Sequence, residues 1–227
     1  MNDWLITGAS KGIGKEIALL LLEKGKKVMG ISRHPPSFSH PNFSWISYDF
    51  KEINGIDSLT INPNEFEGVV FSHGYGDFKN LEEFSHTAIV EMVHVNLLST
   101  IFLTKKLIPF FKQKEKGLFI FIGSEAALQG KARSSIYSAS KFGLRGFVQS
   151  IRKECAKSKL KICLIQPGLT RTSFYDSLYF EPKKDEKSAI DPKEIAKLIP
   201  LMMDSPIGTC LDEIIINPQT SSVEFKN

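Results

Sequence analysis

The sequence predicts a doubly wound α/β domain, a mostly parallel sheet with helices on both faces. Short apolar runs of strand length alternate with longer segments of helical spacing along the whole chain, a pattern that calls for crossover connections and a parallel sheet. A glycine-rich turn stands directly between the first strand and the first helix. No Pro-, Gly- or Ser-rich linker interrupts the pattern, so residues 1–227 are expected to form one domain.

Trp4-Leu5-Ile6-Thr7 reads as a short buried strand, and the helix after the turn runs from about Ile13 to Lys24, where Gly25 ends it. Val28 to Ile31 is the second strand, and His34-Pro35-Pro36 breaks the chain behind it. Phe43 to Tyr48 alternates as a third strand, and Gly68 to Phe71 is a fourth. A long helical region follows from about Leu81 to Lys114. Leu118 to Ile122 gives the fifth strand, Ile136 to Lys157 a helix and Lys161 to Ile165 the sixth strand. Asp191-Pro192 supplies an N-cap and a first-turn proline for a helix reaching Met203, and Ile214 to Ile216 is a last strand. Phe174 to Ile190 is the least regular stretch and reads as a mobile lid.

Composition narrows the function. Apolar residues make up 42% and charged residues 24% of the chain, close to a globular average. Lys and Arg number 29 against 25 Asp and Glu, a balance of +4 scattered among acidic neighbours, so no nucleic-acid-binding stripe is expected. The apolar run Ile101 to Phe111 is broken by Lys105, Lys106 and Pro109, short of the ~18 uninterrupted apolar residues of a membrane span. Met1-Asn2-Asp3-Trp4 carries no secretory pattern. Cys155, Cys163 and Cys210 are widely spaced and form no CxxC, so neither a disulfide framework nor a metal site is expected, and a reducing cytoplasm fits.

Thr7-Gly8-Ala9-Ser10-Lys11-Gly12-Ile13-Gly14 places three glycines where the backbone must turn, approach a pyrophosphate and pack a helix on the sheet. The helix N-terminus then offers free N–H groups and a positive dipole to phosphates. At the end of the second strand stand Ser32-Arg33. An acidic residue there favours NAD, whereas an arginine accommodates a 2′-phosphate, and Lys11 adds a second positive charge, so the expected cofactor is NADP(H). Asp49, ending the third strand, is placed either to meet the adenine edge or to serve as a loop cap.

Tyr137 and Lys141 stand four apart on one face of a predicted helix, with Ser124 thirteen residues earlier at a strand end. Carbonyl reduction needs a proton donor for the developing alkoxide and a second group to hold the oxygen. A tyrosine titrating near 10 needs a lowering worth ~4 kcal/mol to act at neutral pH, about what one ammonium ~4 Å away supplies. Alone, a Tyr/Lys pair at this spacing reads as a surface contact.

The TGxxxGxG turn from Thr7 to Gly14, Asn96, Ser124, Tyr137 with Lys141, and Pro167-Gly168 with Thr172 together resemble the short-chain dehydrogenase/reductase family in its short form. The resemblance implies a Rossmann-type fold, with Tyr137 as general acid/base and Ser124 positioning the substrate oxygen. Lys141 would lower the tyrosine pKa and hold the nicotinamide ribose. Asn96 would kink the long helix and anchor a water in a proton relay, and Thr172 would bind the carboxamide. The resemblance also implies a homodimer or homotetramer built on the long helices.

The chain departs from the family in three places. Phe71-Ser72-His73-Gly74 stands for Asn-Asn-Ala-Gly; Ser72 and Gly74 remain suited to the cofactor, and His73 either tunes substrate choice or is a packing change. Asp212 to Pro218 resembles the ending of the branch that includes serine and 3-hydroxy-acid dehydrogenases. The loop after Pro167-Gly168 is compact, which disfavours a substrate as bulky as a steroid. Phe174, Tyr175, Leu178, Tyr179 and Phe180 suit a small apolar or aromatic carbonyl or alcohol substrate, or are core packing. Lys131, Arg133 and Arg171 are candidates to recognise a carboxylate or an acyl carrier's arm. The expected function is NADP(H)-dependent hydride transfer between the nicotinamide and a carbonyl/alcohol carbon. The alternative is an NADP(H)-binding protein without turnover that acts through a protein partner.

Overall fold

The computed structural model describes residues 3–52 and 55–226, so Met1 and Asn2, read above for a leader, lie outside the described residues. Seven parallel strands form one sheet: β1 (Trp4–Thr7), β2 (Val28–Ser32), β3 (Phe43–Ser47), β4 (Gly68–Phe71), β5 (Gly117–Ile122), β6 (Leu160–Pro167) and, late in the chain, β8 (Glu213–Ile216). Their order is β3-β2-β1-β4-β5-β6-β8. The winding reverses between β1 and β4, and an open α/β sheet opens its ligand crevice at the carboxyl ends of the strands at that point.

Period-two alternation sorts the strand residues onto two faces. Trp4, Ile6, Val70, Ile120 and Ile165 face one way, packed by Ile17 and Leu21 of α1 (Gly12–Glu23), Ile195 of α5 (Pro192–Ala196) and Met202 of α6 (Leu198–Met203). Leu5, Val69, Phe71, Phe119 and Leu164 face the other. They are packed by Leu103 and Phe111 of α3 (Ser99–Phe111) and by Leu144 and Val148 of α4 (Ser135–Glu154). This is the doubly wound α/β architecture expected from the alternation of elements.

Two expected helices are interrupted. The stretch to Met203 breaks at Lys197 between α5 and α6. Pro200 has no N–H to give, and its ring crowds the carbonyl four residues back. The long helical region begins as α2 (His86–Val93), capped by Ser85 accepting from the Ala88 N–H at 3.2 Å, and passes through a π-helical turn at His94–Leu98 into α3. By length and mean hydropathy His86–Phe111 could cross a bilayer, yet Met92, Leu103, Leu107 and Phe111 are buried in the core.

The lid region is more regular than its sequence suggests. β7 (Phe180–Pro182) pairs antiparallel with β9 (Val223–Phe225), and Thr170 bridges Ile190. Neither three-residue strand has a run long enough to signal itself.

Candidate active site

A cleft of about 840 Å³ runs along the carboxyl edge of the sheet. Its floor at one end is the turn after β1. Gly8 has φ 72°, and a Cβ there would sit 2.9 Å from the Ser72 carbonyl oxygen. A Cβ on Gly14 would sit 2.5 Å from the Gly8 carbonyl oxygen, so helix and turn close on each other because neither carries a side chain. Gly8, Ser10, Lys11, Gly12 and Ile13 line the cleft, with the N-terminus of α1 directed into it, while Gly14 lies behind as packing. The spacing, the helix end and the length of the cleft fit a dinucleotide's pyrophosphate at this turn.

Arg33 and Asp49 both line the far end, 3.7 Å apart as an ion pair. Asp49 also accepts from the Lys51 N–H at 3.0 Å. Arg33 is thus half-exposed and already shares its charge with a carboxylate, and Lys11 stands exposed across the turn.

The other end holds the chemistry. Ser124 follows β5, caps a 3₁₀ turn by accepting from the Ala126 N–H at 3.1 Å, and its hydroxyl hydrogen-bonds Tyr137. Tyr137 and Lys141, one helical turn apart on α4, are both buried. The Lys141 ammonium donates to the Ile122 carbonyl at 3.3 Å and lies 5.8 Å from the Tyr137 ring centroid. Burial pulls Lys141 down to about 8. Burial pushes Tyr137 up to about 12, with the Ser124 hydrogen bond opposing and the Glu125 carboxylate adding to the rise. The lowering expected from an adjacent lysine is not what this geometry gives, because removal from water outweighs everything else acting on the phenol.

Asn96 sits in the π-helical turn, fully buried behind the cleft. Its amide accepts from the Tyr75 N–H at 3.0 Å and donates to the Tyr75 carbonyl at 2.9 Å and the Ser140 hydroxyl at 3.1 Å. It therefore ties the loop after β4 to α4. Pro167, Gly168 and Thr172 line the cleft beneath β6, and Thr172 packs against Gly12.

Ser72 and Gly74 also line the cleft. His73 between them stacks on Phe50, with ring centroids 3.7 Å apart. Its Nδ1 lies 2.7 Å from the Thr7 hydroxyl and its Nε2 2.8 Å from that of Ser99. Ser99 donates its own proton to the Val95 carbonyl at 2.8 Å, so it accepts from His73, and Thr7 donates to the other ring nitrogen. Burial, with the Lys141 charge assisting, holds His73 down at about 3 and therefore neutral. The histidine lines the cleft as a hydrogen-bonded strut.

Sequence reasoning missed Gln166. Wholly buried, it accepts from the Ser124 N–H at 2.7 Å and donates to Glu213 at 3.0 Å, and Glu213 is ion-paired with Arg145 of α4 at 2.8 Å. Its signal was a single polar residue ending the apolar run Ile162 to Ile165. Of the three candidate cations near the lid, Lys131 pairs with Glu125 at 2.7 Å. Arg171 donates to the carbonyls of Lys183 and Asp185, both at 2.9 Å, and Arg133 lies over the Tyr179 ring.

A family model described as short chain dehydrogenase matches residues 3–181. Sepiapterin reductase from Chlorobaculum tepidum is 28% identical over 97% of this chain and 97% of its own length. The 3-oxoacyl-[acyl-carrier-protein] reductase of Buchnera aphidicola is 32% identical over 76% of this chain and 75% of its own. Among solved structures, an alcohol dehydrogenase from the archaeon Thermococcus sibiricus, complexed with 5-hydroxy-NADP, superposes with a TM-score of 0.80. That superposition covers 98% of both chains at 22% identity and shows a shared fold.

Proposed function

The chain belongs to the short chain dehydrogenase family of nicotinamide-dependent oxidoreductases, and from that premise we propose that it reduces a small carbonyl compound with NADPH. The observation that carries the reading is the cluster of buried Tyr137 and Lys141 with half-buried Ser124 at the end of a cleft whose other end holds Arg33. The bound cofactor supplies a hydride to the carbonyl carbon.

The residues of the chain do the rest. The Ser124 hydroxyl holds the substrate oxygen beside Tyr137, in a geometry set by the Gln166 bond to its backbone. As charge develops on that oxygen, Tyr137 donates its phenolic proton, and the product leaves as an alcohol. A phenol that stays protonated at neutral pH is in the form that reduction requires. The Lys141 ammonium stabilises the phenolate left behind until a proton returns along the Asn96 side of the site. Gly8, Ser10, Gly12 and Ile13 hold the pyrophosphate with Gly14 packed behind them, Ser72, Gly74, Pro167, Gly168 and Thr172 hold the nicotinamide end, and Arg33 with Lys11 takes the 2′-phosphate. Asp49, paired with Arg33, supports the adenosine end. A protein that only bound NADP(H) would need no buried proton donor, which argues against the partner-binding alternative.

Residues 1–227 act as one unit in this reading, and the unit works as a homodimer or homotetramer. Leu98, Phe102 and Phe110 on the long helix and Phe142 on α4 are exposed apolar side chains that a second subunit would cover. A sedimentation experiment returning a monomer at micromolar concentration would remove the assembly. Fluorescence titration with NADPH and NADH, followed by NADPH consumption against a carbonyl panel, tests the activity. Tighter binding of NADPH with turnover is expected, and binding of neither nucleotide would overturn the reading.

A further inference from the structure

We propose that the substrate is an uncharged carbonyl compound carrying an aromatic ring, and that Phe78 and the β7–β9 flap select it. This inference rests on the reductase reading above. From the Tyr137 ring outward the cleft wall is made of rings. Phe78 lies 5.2 Å and Phe174 5.9 Å, centroid to centroid, from Tyr137, and Phe180 of β7 lies 5.3 Å from Phe78. At the mouth, Tyr179 and Phe225 stack with planes 4° apart and centroids 6.0 Å apart, and Phe225 remains 71% exposed. An aromatic residue that exposed on a three-residue strand adds little to a core, and Phe225 instead lines the cleft beside Val223.

Charge at this wall is already committed. Glu125 and Lys131 satisfy each other, Arg171 is spent on backbone carbonyls, and the Arg133 guanidinium lies over the Tyr179 ring, 4.7 Å from its centroid. An anionic substrate would therefore have to displace an existing partner, whereas a neutral ring finds faces and edges at the spacings that aromatic pairs adopt. The flap is fastened where it stands. Lys226 donates through its backbone to the Tyr179 carbonyl at 2.8 Å and through its ammonium to the carbonyls of Tyr175 and Asp176, and Thr220 donates to the Lys187 carbonyl at 3.0 Å. Val223 and Phe225 thereby become part of the cleft although they lie about 85 residues beyond Tyr137.

The test compares kcat/KM for 4-phenylbutan-2-one, 4-cyclohexylbutan-2-one and 4-oxopentanoate with NADPH, in the full-length protein and in Phe78→Leu and Phe225→Leu. The phenyl and cyclohexyl ketones share one carbonyl environment and one size, so their ratio reports the aromatic wall. The phenyl ketone is expected to be preferred about ten-fold over both others, and each leucine variant to bring the phenyl/cyclohexyl ratio down towards one with NADPH affinity unchanged. Phe225→Leu lies at an exposed position and keeps the test open if Phe78→Leu does not fold. Equal turnover of the two ring ketones, a preference for the carboxylate, or a ratio that survives both substitutions would overturn the proposal and leave the reductase standing. If none of the three is reduced, ligand-observed NMR on the NADPH-loaded protein separates the two claims. Phenyl-ketone binding that is lost in the leucine variants would overturn the reductase reading and support the ring pocket, and no phenyl-ketone binding would overturn the pocket.

Discussion

Ser124, Tyr137 and Lys141 sit on the carboxyl edge of the parallel sheet, fixed by bonds to β5, β6 and α4, which share one continuous core. The flap of β7 (Phe180–Pro182) and β9 (Val223–Phe225) reaches the same cleft through two three-residue strands and lysine-to-carbonyl bonds at its surface. One region is a polar group anchored to the core at the edge of the cleft, and the other is a wall of rings on a light scaffold. Under the proposed function, the difference teaches that the parts assigned to chemistry and the parts assigned to choosing the substrate draw on different physics. Proton transfer needs groups held to within a fraction of an ångström, whereas a hydrophobic wall tolerates rearrangement as long as its rings stay in place.

The sharpest way to break the comparison is Tyr137→Phe. It removes the proton donor and leaves the ring packing, so kcat should fall by about 10²–10⁴ while NADPH affinity holds; unchanged turnover would remove Tyr137 from the chemistry. Arg33→Asp comes next and probes the far end of the cleft. Loss of charge-assisted bonds to a phosphate should weaken NADPH binding on the order of ten- to a hundred-fold, read by fluorescence titration. Unaffected binding would mean that the 2′-phosphate lies elsewhere.

The third prediction concerns pH. Lys141 loses its proton as pH rises through about 8, whereas Tyr137, up at about 12, keeps its own. Reduction should therefore slow about ten-fold per unit above pH 8, and Lys141→Arg should flatten that limb at a lower plateau, in a pH profile of kcat/KM.

A smaller effect falls on the frame. The unfolded chain protonates His73 near 6.5 and the folded chain only near 3, so the unfolded state binds more protons between those values. This histidine's contribution is thus full above pH 6.5 and is lost towards pH 3, with a slope of up to about 1.4 kcal/mol per unit. Urea midpoints at pH 7 and 5 should draw together in His73→Gln. The smallest expected effect belongs to the flap. Lys226→Ala should cost no more than about 1 kcal/mol yet speed proteolysis between residues 175 and 190, whereas an equal change at β5 would be felt by the whole core.

The sheet and the polar end of the site were legible because their signals are local. β1 and the turn after it declare themselves in eleven consecutive residues, Trp4 to Gly14, since tight turns and helix starts restrict which residues stand at each place. Tyr137 and Lys141 carried their relation in a four-residue spacing. Gln166 gave a weaker signal, because its partners Ser124 and Glu213 lie more than forty residues away on either side. β7 and β9 gave none, since each is too short to show a period and each exists only because the other pairs with it.

By itself the sequence determined the order of strands and helices, the glycine turn after β1, and the choice of Ser124, Tyr137, Lys141 and Arg33 as residues that meet at the cleft. Backbone stereochemistry and the spacing of neighbours write these into short windows. Only the tertiary structure decided that burial drives Tyr137 up and Lys141 down, that His73 is a neutral strut, that Asp49 shares the charge of Arg33, and that Phe225 walls the cleft. Each of those depends on what surrounds a group in space, because desolvation and charge pairing are fixed by neighbours that the chain brings together only on folding.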